Sequence, residues 1–344
     1  MKIECINDIK GFIKLKDDWK MLYKNNNYSI FQSFEFNYYS WEYILSQDYK
    51  NKLCIILVTD NNKKCIFPLY INRKKELKFI NYEHIDFCDS IANYSINFLE
   101  IYKFIRNNLK ISKISFTNLC ESSCLFESIK NLDLKYKTKR KISEYSYLNT
   151  TIGEFPYNIK HYKSHEKHRI RKALKYHKNK EFDIYYSSKD SFPINEINEL
   201  KRIMIDLSIR KKNFLSSNMI KLINELYKKD AIVLSILKEN DKIVAVNIIL
   251  KLLENKFLFW IDLYSNQKML NIANYSNFIK RYSEKNNLEI NFGRGRYFYK
   301  TSNFAPIFKD LFQVDIHFNY FNYIKSIISN ILLEKIKLIH KKLF

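Results

Sequence analysis

The sequence predicts an α/β (α+β) fold with two domains, residues 1–150 and 151–344, each a mixed, mostly antiparallel sheet flanked by helices. The chain has 344 residues, which is enough for two domains. Hydrophobic residues make up 46% of it, enough for a core in each domain. Strand-like and helix-like segments occur in both halves, and the second half contains three consecutive strands joined by short polar turns.

The first half alternates helical segments with short strands. Polar residues at 60–62 separate two apolar segments, which is typical of a hairpin. The predicted elements are helices at Asp17–Asn25 and Cys124–Asn131 and strands at Lys52–Thr59, Lys64–Asn72, Leu77–Asn81 and Lys113–Thr117.

The second half begins with a basic helix that Ser164 is expected to cap. A longer helical region follows, and then an antiparallel meander, a loop, a helix and a strand. The predicted elements are helices at 164–178, Pro193–Lys229 and Ala273–Asn286, and strands at Ala231–Lys238, Ile243–Leu252, Lys256–Tyr264 and Leu288–Phe292.

The composition limits the classes of partner and location. The formal net charge of +23 suits an anionic partner, but the abundance of Lys, Asn, Ile, Tyr and Phe also follows from AT-rich codons. No apolar run has the length of a membrane-spanning helix, and the first ten residues lack a signal-peptide pattern, so a cytoplasmic protein is expected. Six scattered cysteines form no C-x-x-C pair, and no metal cofactor and no DNA partner are expected.

The segment Asn291–Phe304 concentrates unusual residues. It holds two of the four glycines of the chain, Gly293 and Gly295, interleaved with arginine, tyrosine and lysine. Glycine lets a backbone turn sharply and approach a ligand closely. The segment therefore is a candidate ligand site, and an exposed basic turn is the structural alternative.

Several segments, taken in chain order, resemble a GNAT-fold acyltransferase of the CelD/BcsL type, a group related to the FemABX transferases. The resemblance covers about residues 15 to 305. The meander, loop, helix and strand of the second half follow the order of the GNAT acyl-CoA-binding core. The matching positions are Trp19, Ser29–Ser33, Trp41, Pro68-Leu69, Asp86-Phe87, His168–Lys172, Val244-Ala245, Asn291–Gly295 and Tyr299-Lys300.

The resemblance implies an acyl-CoA-dependent N-acyltransferase, with acetyl-CoA as the expected co-substrate and an amino sugar or cell-envelope glycan precursor as the acceptor. Transfer would be direct, in a ternary complex. The implied catalytic residues are Lys300, Tyr299, Tyr297 and Asp86. The implied donor-binding residues are Arg294, Gly293, Gly295, Asn274, Tyr275 and Lys268. The implied acceptor-binding residues are Arg169, Arg171, Asp89 and Gln32.

Two departures from the family pattern leave alternatives open. The family usually has an acid where this chain has Asn291, and the loop 267–273 lacks the small residues that usually receive a pyrophosphate. One alternative is a FemABX-like transferase that uses aminoacyl-tRNA, and another is a degenerate GNAT-fold binding protein. For Asp89, a turn or cap role is an equal alternative.

The C-terminal segment Asn322–Phe344 has the apolar spacing of an amphipathic helix and ends in lysines. One interpretation is that this helix lies on the inner face of an anionic membrane as a peripheral contact. Packing against the domain is the other. His161, His165 and His168 share one helical face, but no further ligand stands near them in the sequence, and a basic surface is the simpler account.

Overall fold

The computed structural model describes residues 1–24 and 28–343, with side chains as far as residue 332. The strands are β1 (Lys2–Ile6), β2 (Lys52–Leu53), β3 (Ile55–Asp60), β4 (Lys63–Phe67), β5 (Leu69–Ile71), β6 (Glu76–Phe79), β7 (Ile91–Ala92), β8 (Lys113–Cys120), β9 (Lys137–Thr150), β10 (Glu181–Tyr185), β11 (Ile232–Glu239), β12 (Lys242–Leu253), β13 (Lys256–Tyr264), β14 (Leu288–Arg294) and β15 (Ile307–His317). The α-helices are α1 (Ile9–Lys14), α2 (Lys16–Lys24), α3 (Phe34–Tyr43), α4 (Phe98–Asn108), α5 (Cys124–Ile129), α6 (Ser164–Tyr176), α7 (Ile194–Asp206), α8 (Ser217–Lys228), α9 (Leu270–Ser283), α10 (Phe298–Phe304) and α11 (Tyr320–Leu343). Short 3-10 helices lie at Ile30–Gln32 and Leu45–Gln47.

The chain forms two compact units whose bounds differ from the predicted division at residue 150. The first unit contains Met1–Asn26, Leu45–Ile142 and Leu311–Phe344, and the second contains Asn27–Ile44 and Ser143–Asp310. Helix α3 belongs to the second unit because it packs against α8. The end of β15 belongs to the first unit because it pairs with β8.

In the first unit, β1, β3, β4 and β7 form an antiparallel sheet in that order. A second group of strands runs from β15 through β8, β6 and β5 to β2. Within this group only the β6–β8 pair is parallel, with Leu77 opposite Ile114. The strands of this unit are short, and the side chains that face its core are mainly Ile, Leu and Phe.

In the second unit, β10, β11, β12 and β13 are antiparallel neighbours, as the meander predicts. Strand β14 then joins β13 in parallel and pairs with β9 on its other side in the antiparallel sense. The predicted fold class, mixed α/β with mostly antiparallel sheets flanked by helices, is confirmed. The predicted strands of this unit agree with β11 to β14 to within two residues at most ends.

Two helical predictions in the second unit were wrong in detail. The predicted helix 193–229 is two helices, α7 and α8, separated by residues 207–216. Residues 298–304, for which no helix was predicted, form the short helix α10. Phe304 at its end is fully buried and its ring stacks on that of Phe292 at 5.0 Å between centroids. Tertiary packing therefore stabilises a helix that its local sequence does not favour.

A β-bulge sets which side chains of β13 face the core beneath α9. The register of β12 and β13 shifts between Ile248 and Ile249, so that Phe259 lies opposite Ile249 and Asp262 lies opposite Asn247. The extra residue is Trp260. Phe259 stacks on Tyr275 of α9, with 4.5 Å between ring centroids. Beyond the bulge, the same face of the strand carries polar residues.

Candidate functional site

Strands β13 and β14 pair over three residues and then separate. The parallel register joins Lys256 to Glu289, Phe257 to Ile290 and Leu258 to Asn291, and both strands continue beyond it. A slot between two diverging parallel strands presents main-chain amide and carbonyl groups to whatever enters it. Such an edge suits an extended ligand that carries its own amide groups. The two strands belong to the segments whose order resembles the GNAT acyl-CoA-binding core.

Beyond this point β13 carries an acid, Asp262. Arg210, from the loop between α7 and α8, donates from Nη2 to Asp262 Oδ1 at 2.8 Å. The carboxylate side chain is only 15% exposed. Burial raises the pKa of Asp262, although the charges of Arg210 and Lys300 counteract the rise. A carboxylate with a raised pKa is a better proton acceptor for an amine than an exposed aspartate is.

Two tyrosines lie close enough to Asp262 to be affected by its charge. Tyr275 of α9 and Tyr299 of α10 have nearly parallel rings, with 6.3 Å between centroids. Burial raises the pKa of both hydroxyls, and the Asp262 carboxylate adds to the rise. Both phenols therefore stay protonated at neutral pH and keep an O–H that donates a hydrogen bond. Tyr297 stacks on Tyr299 at 6.2 Å and is 59% exposed.

The Gly-Arg-Gly turn after β14 is held from inside by Lys300. The ammonium is 1% exposed and donates to the carbonyls of Gly293, Arg294 and Gly295 at 3.0, 2.8 and 3.1 Å. Both glycines have positive φ, 70° and 87°, which glycine adopts without the strain that other residues incur. Asn291 Oδ1 accepts from Gly293 N at 2.7 Å. Lys300 thus fixes the shape of the turn beside the slot.

The loop before α9 is fixed by polar contacts of its own. Met269, which precedes the helix, has a φ of 62°, and the carbonyl of Lys268 is hydrogen-bonded to His177 Nε2 at 2.8 Å. Gln267 Nε2 donates to the carboxylate of Glu239 at 2.9 Å. Hydrogen bonds from Lys180 and Gln267 lower the pKa of Glu239, which is therefore ionised. The ion pair of Glu239 with Lys180 therefore lies beside the loop that, in the resembled fold, would receive a pyrophosphate.

Asn274 and Gln32, predicted to bind donor and acceptor, are buried in the second unit. Asn274 is fully buried and anchors α9 to β11, because Ser235 Oγ donates to its Oδ1 at 2.7 Å and its Nδ2 donates to the Ser235 carbonyl at 2.9 Å. Gln32 is 4% exposed, within the short helix Ile30–Gln32.

The two arginines of α6 occupy different surroundings. Arg169 Nε donates to Asn303 Oδ1 at 2.8 Å, and its guanidinium lies 5.7 Å from the ring centroid of Phe298, so it contacts α10. Arg171 is exposed and lies over the ring of Tyr157 at 5.5 Å. Only Arg169 is thereby brought to the helix that carries Tyr299.

Asp86 and Asp89 belong to the first unit. Asp86 is 8% exposed. Asp89 accepts from the backbone N–H groups of Ser90, Cys124 and Leu125 at 2.8 to 3.0 Å, so it caps the start of α5. Burial raises the pKa of Asp89 to about 7.

Three residues that the sequence did not single out lie on one face of the sheet or beside it: Asp262, Arg210 and Asn247. Two of them had a signal in the sequence. Asp262 is the one acid within the apolar strand 256–264, and Asn247 is the one polar residue within 243–250. A polar residue inside an otherwise apolar strand is worth singling out because its burial is costly. Arg210 had no such signal, since it lies in a loop.

Among the described residues, no group of three or more His, Cys, Asp or Glu side chains is arranged to hold a metal ion. Within the same residues, no helix combines the length and apolar character that crossing a bilayer requires.

Comparison with known proteins finds structures of similar fold but assigns the chain to no family. No protein-family model and no curated protein matches the sequence. Among solved structures, the chain is similar to the C-terminal DUF2156 domain of a putative lysylphosphatidylglycerol synthetase from Agrobacterium fabrum, with a TM-score of 0.58, 11% identity and coverage of 94% of this chain and 97% of that one.

Two further structures are similar over the same extent. A conserved protein of unknown function from Bacteroides thetaiotaomicron has a TM-score of 0.58 and 11% identity, covering 92% of this chain and 100% of that one. L-PGS from Bacillus licheniformis has a TM-score of 0.55 and 11% identity, covering 93% and 96%. At these identities the likeness shows a shared fold, and function must be argued from the site.

Proposed function

We propose that the second unit transfers an activated acyl group directly to a nitrogen nucleophile in a ternary complex. The observation that carries the proposal is the slot between β13 and β14, with the buried carboxylate of Asp262 beyond the point where the strands separate. The first candidate donor is an acyl-CoA such as acetyl-CoA. The first candidate acceptor is the amine of an amino sugar or a cell-envelope glycan precursor.

The proposed reaction assigns one role to Asp262 with Arg210 and another to the tyrosines Tyr299 and Tyr275. Asp262 takes the proton from the attacking amine, and Arg210 keeps the carboxylate in place. The Tyr299 hydroxyl donates a hydrogen bond to the leaving anion, which then takes its proton from water, and the ring of Tyr275 lies beside that of Tyr299. No nucleophilic cysteine or serine is required, because holding donor and amine together supplies much of the rate.

The slot favours a donor with an extended, amide-bearing arm, and coenzyme A has such an arm. Its amides would pair with the main chain of the diverging strands in the way that an added strand pairs with a sheet edge. The turn held by Lys300 borders this slot. Arg294, at the centre of that turn, is a candidate partner for an anionic part of the donor.

A second candidate donor is an aminoacyl-tRNA. The specific observation that favours it is the loop before α9, which has no glycine and binds the ionised carboxylate of Glu239 through Gln267. Without glycine, the backbone of this loop is less able to approach the pyrophosphate of coenzyme A closely. One structurally similar domain is named as part of a putative lysylphosphatidylglycerol synthetase, and another similar protein is named L-PGS. These names put an aminoacyl group among the candidates. The exposed cations of α6 offer a surface for phosphates.

The deciding experiment is the melting temperature of the purified protein with and without millimolar acetyl-CoA. A ligand that binds the folded state raises it by mass action. The Asp262→Asn variant should show the same rise but release little thiol when amino sugars are added, which separates donor binding from chemistry. No rise would turn attention to charged tRNA, measured as salt-sensitive binding. Failure of both donors would leave a GNAT-fold binding protein without catalysis.

We also propose, as a separate matter, that α11 contacts an anionic membrane at the cytoplasmic face. Phe321, Ile328 and Leu332 are 84%, 53% and 55% exposed. Their spacing of seven and four residues puts them on one side of the helix. Lys325 lies on the same helix and is exposed, which suits an anionic surface.

A further inference from the structure

A row of polar side chains crosses the sheet of the second unit beneath α9. Ser235 of β11 lies opposite Asn247 of β12, and Asn247 lies opposite Asp262 of β13. Directly opposite residues project from the same face, with Cβ atoms about 5 Å apart. On the same face, apolar layers flank the row: Val233, Ile249 and Phe259 on one side, and Leu237, Ala245 and Tyr264 on the other. The row is polar where the sheet otherwise builds a core.

The two ends of this row are satisfied, and its middle is not. Ser235 is bound to Asn274, and Asp262 is bound to Arg210. Asn247 is 1% exposed, and neither its Nδ2 nor its Oδ1 has a hydrogen-bond partner among the described residues. Buried amides are nearly always hydrogen-bonded, because leaving them without a partner costs stability. The Asn247 amide therefore has a donor and an acceptor that a bound molecule could satisfy.

We infer that Asn247 and Asp262 form a subsite for a substrate group in which an amine nitrogen and an oxygen lie on neighbouring carbons. The Asp262 carboxylate has lone pairs beyond the one that Arg210 uses, so it accepts from the amine. The Asn247 Oδ1 accepts a second hydrogen of that amine. The Asn247 Nδ2 donates to the neighbouring oxygen. The Asn247 amide, which has one acceptor and one donor, thus recognises both the amine nitrogen and the neighbouring oxygen.

This inference rests on the proposed acyl transfer, and it narrows the substrate class. Two sources share the chemistry. A 2-amino sugar has an amine beside a hydroxyl oxygen, and it would be the acceptor. An aminoacyl ester has an amine beside a carbonyl oxygen, and it would be the donor group. A simple alkyl amine has only the nitrogen, so it should bind without the hydrogen bond from Asn247 Nδ2.

The test measures binding without turnover, so its result does not depend on whether the protein catalyses acyl transfer. Calorimetric titrations of the full-length protein would use glucosamine, lysine methyl ester, cyclohexylamine and glucose. We expect glucosamine or the lysine ester to bind at least about tenfold tighter than cyclohexylamine, the difference made by the neighbouring oxygen. The ester binding alone would identify an aminoacyl group, and glucosamine alone an amino sugar. Equal binding of all amines would overturn the inference.

The matched variant is Asn247→Leu, which keeps the volume and removes both polar atoms. We expect its melting temperature to rise by a few degrees without ligand, because the cost of the unsatisfied amide disappears. We also expect tenfold or greater loss of the oxygen-dependent affinity, with a smaller loss for cyclohexylamine, which has no neighbouring oxygen. The Asn247→Ala variant gives the same binding readout if leucine prevents folding. A lower melting temperature together with unchanged binding would overturn the inference, since it would show a structural amide.

The experiments can support the subsite and reject the proposed function, or the reverse. Binding of an amine–oxygen probe that Asn247→Leu abolishes, without any acyl transfer from acetyl-CoA or charged tRNA, would sustain the subsite and reject the enzyme. Transfer activity that Asn247→Leu leaves unchanged, with unchanged KM for every acceptor, would sustain the enzyme and reject the subsite.

Discussion

Replacing Lys300 by methionine should destabilise the second unit strongly. The ammonium is 1% exposed and bonds three carbonyls of the Gly293–Gly295 turn. Hydrogen bonds to a charged group contribute about 1.5–3 kcal/mol each. The three are not additive, and the variant also escapes the cost of burying a charge. The net loss should be about 3–5 kcal/mol, the range found when one partner of a buried charged network is removed.

Urea unfolding followed by intrinsic fluorescence would measure this loss, and a thermal midpoint lower by about 10 °C should accompany it. The matched control is Lys309→Met, since Lys309 is exposed and lies only over the ring of Tyr147 at 5.2 Å. The control should change the free energy of unfolding by less than about 1 kcal/mol. A Lys300→Met variant that unfolds like the wild type would refute the reasoning, because the ammonium would then not hold the turn.

Three further outcomes are expected. Gly295→Ala should cost about 1–2 kcal/mol in urea unfolding, because its φ is 87° and a Cβ would lie 2.6 Å from the ring of Tyr297; an unchanged midpoint would contradict this. Burial raises the pKa of Asp89 to about 7, so the contribution of Asp89 to the stability of the first unit should fall as pH rises from about 4 to 7. Asp89→Asn should remove this fall from the urea midpoint between pH 4 and 7, and a wild-type profile with the same slope as the variant's would argue against the shift. Phe321→Ser combined with Ile328→Ser should reduce co-sedimentation with phosphatidylglycerol vesicles, whereas an equal bound fraction would remove the membrane proposal.

The sequence by itself determined the fold class and most elements of the second unit. The meander could be predicted because its signals are local: apolar segments of strand length, separated by the polar turns 239–242 and 254–255. The predicted ends of β11 to β14 lie close to the observed ones for the same reason. The unusual composition of 291–304 also marked a real structural feature, since both glycines adopt positive φ.

The tertiary structure alone decided which residues meet. Segment 27–44 joins the second unit because Phe31 and Phe36 pack their rings against Trp260, and no local pattern announces a contact across more than 200 residues of chain. Helix α10 exists because its last residue is buried in the core. The Tyr299-Lys300 pair led to the expectation that Lys300 acts in catalysis. Its hydrogen bonds to three carbonyls, which the tertiary structure alone reveals, show that it holds a turn.

The candidate site shows the same division. The sequence carries an acid in one strand and an amide in another, but their positions do not reveal that they lie opposite each other. That register depends on the bulge at Trp260, which brings Asp262 onto the face of Phe259 and Asn247. One residue more or fewer in β13 would turn Asp262 to the opposite face. The chemistry of the site therefore follows from a one-residue irregularity that side-chain packing stabilises and that local sequence leaves undetermined.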